Sequence, residues 1–314
     1  MTRVAAIDQG TNTTRLLVAD VADGRVDEIH RETRITRLGE GVDARRRLLP
    51  LPIARVRNAL SDYRRTAESL DAKRTLLIAT SAIRDAENGE AFLGEIEWSY
   101  GFETQLLSGS AEAAMAFRGV MTGRRLDGEA LVVDVGGGST ELIVGTENGV
   151  RTDHSVDVGS VRMTERFLHT DPPTAEELAA CSDAVRDALP KLRADRAIGV
   201  AGTVTTLGAL DLRLQTYDRN RVHGHVLSRA AVDEQLARLA ALPVAERAKI
   251  PAMEPDRAPM IVGGAVILRE VVRRYELGAI EVSAHDILDG AALAAAELPE
   301  RLEGDAPPGA YTCC

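Results

Sequence analysis

No apolar run in this 314-residue chain approaches the roughly 20 residues needed to cross a bilayer. The opening MTRVAAIDQG lacks the apolar stretch and cleavage site of a secretory signal and reads directly as a first strand. A cytoplasmic protein with no membrane partner is the expectation. Cysteine is scarce: Cys181, Cys313 and Cys314 make neither a disulfide framework nor a zinc site. Cys181 lies in a helical pattern and reads as a small core residue, while the terminal pair follows a tail-like EGDAPPGAYT. Positive charge is in deficit, and the formal net charge is -10. That argues against a nucleic-acid binder, whose footprint would be a basic stripe. It leaves room for a phosphorylated substrate held in a locally positive groove of arginines and backbone amides. Histidines are few; His223 and His225, in VHGH, read as loop residues, and His285-Asp286 as a cap before a helix.

What the chain does contain is the 45% hydrophobic and 27% charged mixture of a soluble globular protein, with length for two domains. Its main organising feature is a repeat. DQGTNTTRLLV (8–18) aligns without gaps on DVGGGSTELIV (134–144), matching Asp8 with Asp134, Gly10 with Gly136, Thr14 with Thr140, Leu16 with Leu142 and Val18 with Val144. Each copy follows one apolar strand and leads into another, so two similar hairpin-led α/β domains are expected. In the first half a third strand follows near 25–38. PIARVRNALSDYRRTAESLDA then sets Ile53, Val56, Leu60, Tyr63, Ala67 and Leu70 on one helical face. RTLLIATSA and FETQLLSG read as strands and SAEAAMAFRGVM as a helix. A composition shift at TGRRLDGEA marks the boundary. The domains are expected at 1–124 and 125–296, with a C-terminal helix at 297–306 as a candidate to complete the first and a flexible tail at 307–314.

The second half shows strands near 129–135, 140–146 and 149–157, helices at 160–168 and 174–189, and a strand, glycine turn and helix start over 196–210. Helices at 228–241 and 257–274 follow, then a strand and a helix in AIEVSAHDILDGAALAAAEL. Strands alternating with helices imply mixed or parallel sheets covered on both faces.

In each repeat an Asp at a strand end precedes a glycine-rich turn. Glycine lets the backbone approach a ligand closely, and turn N–H groups with Ser and Thr hydroxyls cradle phosphate oxygens. An Asp beside them would repel bare phosphate but becomes useful when a divalent cation bridges the two. Two such turns facing one another across a cleft would form a metal–phosphate clamp.

Paired D-x-G hairpin motifs resemble the phosphate loops shared by sugar kinases, 70-kilodalton heat-shock proteins and actin. Within that superfamily the chain is similar to the exopolyphosphatase and guanosine pentaphosphate phosphatase family, in its short two-domain form. The resemblance rests on DQGTNTTRLLV, ATSAIRDAEN, LSGSAEAAMAFRGV, VVDVGGGSTEL, GSVRMTERFL, AGTVTTLGAL, VHGHVLS, RAPMIVGGAVIL and SAHDILDG, and so covers nearly the whole chain. It implies two ribonuclease-H-like (actin-like ATPase) α/β domains, mixed sheets flanked by helices, with the active cleft between them.

The resemblance also implies site residues. Glu112 matches the position of the base that activates water, Glu141 a second catalytic acid, and Arg84 an arginine at the phosphate. Gly10, Thr11, Asn12, Thr13, Arg15, Gly136, Gly137, Gly138, Ser139, Thr140 and Arg162 would bind phosphate. Asp8, Asp134 and Glu141 would hold Mg2+, with Mn2+ as a substitute. Gln9, the threonines at 11 and 13, and Ser110-Ala111 depart from the family pattern and put the preferred chain length in doubt. The implied activity is release of orthophosphate from inorganic polyphosphate. Alternatives are hydrolysis or sensing of guanosine tetra- or pentaphosphate and, from a faint likeness of IVGGAVIL to an adenosine-seating glycine pair, an actin-like ATPase or sugar kinase. A homodimer also remains open.

Overall fold

The computed structural model describes residues 1–299. Contacts divide it into two compact units, one of Met1–Arg124 together with the segment that begins at Ile287, the other of Arg125–Asp286. The C-terminal helix expected at 297–306 falls almost wholly outside the described residues, as do the tail and Cys313-Cys314. No helix among the described residues is long and apolar enough to cross a membrane.

The first unit is built on strands β1 (Thr2–Gln9), β2 (Thr13–Ala22), β3 (Arg25–Ile35), β4 (Arg74–Ala79) and β5 (Glu103–Leu106), in the order β3-β2-β1-β4-β5. β1, β2 and β3 are antiparallel neighbours, whereas β4 and β5 extend the sheet in parallel from β1. β1 is buried along its last six residues because elements cover it on both faces, which is why it reads as a continuous apolar run. The helix Pro50–Ser69 starts with prolines, which the first turn tolerates because its N–H groups have no intrahelical partner. Val56, Leu60 and Tyr63 on its apolar stripe join Ile7, Leu16, Val18 and Leu77 in one core cluster.

The second unit repeats the plan. Its strands are β6 (Ala130–Val135), β7 (Thr140–Thr146), β8 (Gly149–Val156), β9 (Ala197–Val200), β10 (Val226–Ser228) and β11 (Ala279–Val282), in the order β10-β11-β9-β6-β7-β8. β6, β7 and β8 are again antiparallel, and β9 and β11 continue in parallel from β6. The sequence repeat is therefore a repeat of sheet topology: β1-β2 and β6-β7 are equivalent hairpins, each beside a parallel extension. The expected helix over 257–274 is broken. A short 3-10 turn, Pro255–Arg257, precedes an α-helix that begins only at Ile261. Pro259 lies at the break and lacks the N–H a continuous helix would need.

The second domain does not run to 296. The helix Ile287–Glu297 packs on the helix Gly109–Val120 and on β1, inside the first unit. Small residues set that destination: a Cβ on Gly290 would stand 2.0 Å from the Met115 carbonyl oxygen. Buried Asp289 adds a polar tie, accepting from Arg31 Nη2 on β3 at 3.2 Å. Gly290→Val should destabilise the protein by about 2 kcal/mol or more, because overpacking here meets rigid backbone. Urea denaturation checks this; an unchanged midpoint would contradict the packing.

Candidate active site

Each hairpin turn is held the same way. In the first, the Gly10 amide donates to the Thr13 carbonyl at 2.9 Å; in the second, the Gly136 amide donates to Ser139 at 3.0 Å. The remaining turn carbonyls are then occupied from behind. Those of Thr11 and Asn12 accept from the amides of Gly39 (2.8 Å), Thr36 (3.0 Å) and Arg37 (2.9 Å). Those of Gly136 and Gly137 accept from Ser160 (2.9 Å) and from Val161 and Arg162 (2.9 and 3.2 Å). With the carbonyls tied back, the amides of Thr11, Asn12, Gly137, Gly138 and Ser139 donate to no protein acceptor among the described residues. Clustered donors of this kind form an anion cradle.

Two glycines outside the hairpin turns make the backing segments fit. A Cβ on Gly39 would stand 2.2 Å from Thr11 Cγ2, and one on Gly159 would stand 2.4 Å from the Gly137 carbonyl. Sequence reading did not single out Gly39, and it quoted Gly159 only as the first residue of GSVRMTERFL, without its role behind the turn. Gln9, a departure from the family pattern, is fully buried and braces the first turn: its Nε2 donates to the Gly10 carbonyl and its Oε1 accepts from Thr14. The Thr11 hydroxyl bonds Ser81 Oγ at 2.8 Å, and Asn12 Oδ1 is buried without a hydrogen-bond partner. Thr13 is partly exposed and Ser139 buried.

Three expected phosphate ligands have other engagements. Thr140 is fully buried and its hydroxyl donates to the Val158 carbonyl at 2.6 Å, so it pins the turn rather than a ligand. Arg162 is buried and its Nε donates to the Gly138 carbonyl at 2.7 Å, again from behind. Arg15 donates Nε and Nη2 to Asp8 Oδ2 at 2.9 and 2.6 Å.

The last pair exposes a difference concealed by the repeat. Asp8 faces Arg15 across the β1-β2 ladder, and the equivalent Asp134 faces Glu141 across β6-β7. Directly opposed residues share a face with Cβ atoms about 5 Å apart. One copy thus balances its acid with a guanidinium, while the other sets two carboxylates together, Asp134 7% and Glu141 1% exposed. Glu141 Oε1 also accepts from Ser155 Oγ at 2.8 Å. Hard oxygen donors in this arrangement fit a small divalent cation. No group of three or more His, Cys, Asp or Glu suited to a metal occurs among the described residues.

Glu112 stands in the first turn of the helix Gly109–Val120, whose N-cap Ser108 accepts from the Ala111 amide. It is 8% exposed. Arg84, closing the short helix Ser81–Arg84 that follows β4, donates Nη1 to Glu112 Oε2 at 3.1 Å and to the Leu107 carbonyl at 2.7 Å. Burial, reinforced by the negative charges of Asp8 and Asp85 and opposed by Arg84, raises the Glu112 carboxyl to about 7. The first unit therefore brings Asp8, Arg15, Arg84 and Glu112 together beside one cradle. In the second unit Asp134, Glu141 and the glycine turn share the end of one hairpin.

Of the remaining candidates, His225 Nε2 bonds Asp211 Oδ2 at 2.7 Å, and His223 meets His285 edge to face at 5.1 Å. His223 Nδ1 also accepts from the Ala284 amide at 3.1 Å, and all three histidines lie in the second unit.

Comparison with known proteins gives the geometry its relatives. The model of the Ppx/GppA phosphatase family matches residues 17–294. The chain belongs to that family. Among Ppx/GppA relatives it is 42% identical, over 94% of its length and 99% of the other's, to exopolyphosphatase 2 of Mycobacterium tuberculosis. The Aquifex aeolicus Ppx/GppA enzyme superposes with a TM-score of 0.80 at 33% identity, covering 93% of this chain and 99% of that one. An exopolyphosphatase from Cytophaga hutchinsonii superposes at 0.85 and 25% identity, covering 92% and 96%. With these relatives, the paired mixed sheets are the actin-like, ribonuclease-H-like architecture of the Ppx/GppA family.

Gly159→Ala should cost about 1–3 kcal/mol of stability, since the methyl group meets turn backbone on one side and cannot rotate away; thermal denaturation reads it. Glu112 predicts a pH effect with a definite sign. Its folded value lies above the ordinary carboxylate range, so its stabilising contribution is complete below about 4.5 and is lost as pH rises through about 7. Glu112→Gln should therefore gain stability relative to wild type at pH 8, by roughly 1–3 kcal/mol, and the gain should vanish near pH 4. Parallel denaturation curves at the two pH values test this; a pH-independent difference would refute the raised value.

Proposed function

We propose that the protein is an exopolyphosphatase, releasing terminal orthophosphate from inorganic polyphosphate by attack of a water molecule that Glu112 deprotonates. The observation that carries this reading is a buried glutamate with its acidity tuned to about 7, beside a turn whose amides lack protein acceptors. A general base works best when its pKa lies near the working pH, and such tuning contributes typically 10²–10⁴-fold. The carboxylate takes one proton from water as the new P–O bond forms and the bridging P–O bond breaks, with the shortened chain leaving as an oxyanion. Arg84 holds the carboxylate through Nη1, and its Nε and Nη2 make no hydrogen bond among the described residues. Those donors suit phosphate oxygens on which charge grows. Each unit supplies a cradle of turn amides for such oxygens.

Asp134 and Glu141 are the carboxylates that would hold Mg2+ in the second unit, and Asp8 is the candidate ligand of the first; the ion's charge would offset that of the phosphate oxygens and polarise the P–O bond. Because Mg2+ usually takes one or two carboxylates together with waters and substrate phosphates, this small acid set suits an ion that arrives with the substrate. The unpartnered Asn12 Oδ1 is an acceptor that a metal-bound water would satisfy.

Orthophosphate release from polyphosphate, with guanosine pentaphosphate as a comparison substrate, tests the reading. Glu112→Gln should lower kcat by 10²–10⁴-fold while polyphosphate binding persists. In wild type kcat/KM should rise with pH through about 7, and chelation should abolish turnover. A Glu112→Gln protein with full activity would remove the base from the mechanism.

A further inference from the structure

Residues 36–48 form a strap tied to the first unit at both ends. Its start holds the first cradle, through the Thr36, Arg37 and Gly39 amides on the Asn12 and Thr11 carbonyls. Its end is fastened near Arg84. Leu48 and Asn88 exchange two hydrogen bonds at 2.8 and 3.1 Å, and the Glu87 amide donates to the Arg46 carbonyl at 2.8 Å. Glu87 follows Arg84 by three residues, so no more than about 11 Å of extended chain separates that anchor from Arg84.

The strap carries three consecutive exposed arginines, Arg45, Arg46 and Arg47. Several other arginines of this unit are committed to carboxylates, as Arg3 is to Asp20, Arg15 to Asp8, Arg34 to Asp62 and Arg57 to Glu95. These three have no carboxylate partner among the described residues, in a chain whose net charge is -10. Arg45 folds back over Gly41, its Nη1 3.4 Å from where a Cβ would stand, toward the strap end tied to Thr11. Arg46 holds φ at 54°, a left-handed conformation that costs a non-glycine residue about 1 kcal/mol or more and that glycine would adopt freely. One basic residue is enough to complement a helix C-terminus; three in a row exceed what the four-residue helix Val42–Arg45 can use.

We propose that Arg45, Arg46 and Arg47 form a second phosphate-binding subsite, engaging units of polyphosphate remote from the one being hydrolysed and so favouring long chains. This rests on the exopolyphosphatase reading. A long chain offers an unbroken row of anionic oxygens to three guanidinium groups while its end is held at the cradle; tripolyphosphate has only three phosphate units to divide between the two. RNA is the weaker match, because the strap has no aromatic residue on which a base could stack.

The test is titration of long-chain polyphosphate, tripolyphosphate and single-stranded RNA into full-length Glu112→Gln protein and into the same protein carrying Arg45→Gln, Arg46→Gly and Arg47→Gln. Arg46→Gly removes charge while relaxing the backbone, and a melting curve verifies folding. The Kd for the long chain should rise at least tenfold relative to that for tripolyphosphate. The slope of log affinity against log salt should fall by about 2, the value for loss of three phosphate contacts to a single-stranded polyanion. Arg45→Lys with Arg47→Lys should preserve most of the long-chain preference. Equal losses for both polyphosphates, or no loss, would overturn the subsite, as would RNA bound as tightly as polyphosphate and lost in the same variant. If the Glu112→Gln protein binds neither polyphosphate, the exopolyphosphatase reading falls and the subsite with it; long-chain binding that ignores the three substitutions removes the subsite alone.

Discussion

A peptide group has one donor and one acceptor on opposite sides, and the two glycine turns exploit that constraint. Backbone amides behind the turns, from 36–39 in one unit and 160–162 in the other, occupy the turn carbonyls. The opposed N–H groups are left with no protein acceptor among the described residues. Gly39 and Gly159 permit this close approach, the first against the Thr11 side chain and the second against the Gly137 backbone. Thr140 and Arg162 add side-chain ties to the second turn from the same side. The anion cradle is thus a by-product of how each hairpin is anchored, prepared before any ligand arrives.

On that shared frame the copies have diverged at one register position. Arg15 and Glu141 occupy equivalent places opposite equivalent aspartates. The first unit neutralises its own acid and adds a carboxylate whose burial, opposed by Arg84, leaves it near neutrality. The second sets two carboxylates opposite one another where the first pairs an acid with a guanidinium.

Much of the architecture was legible in the sequence because the signals were periodic or duplicated. The hairpin repeat and the apolar stripe of the helix Pro50–Ser69 both give redundant cues. The helix Gly89–Tyr100 was not, since Gly89 and Gly94 lower its propensity and few apolar residues mark its face. Nor was β10, three residues long and paired only at an edge. Site chemistry was legible by residue type and resemblance, but its detail depended on contacts that sequence does not order. Arg84 and Glu112 are 28 residues apart and meet through the fold, and the inward turn of the Thr140 hydroxyl depends on Val158, 18 residues later.

The placement of the helix Ile287–Glu297 bears on the order in which the protein can assemble during synthesis. The second unit is a single uninterrupted stretch, 125–286, whereas the first lacks a layer over β1 until Glu297 has left the ribosome. The later-made half can therefore complete its core first, and the earlier-made half must wait for Ile287–Glu297 to cover its central strand. The hairpin bearing Asp8 and the helix bearing Glu112 belong to the half that waits.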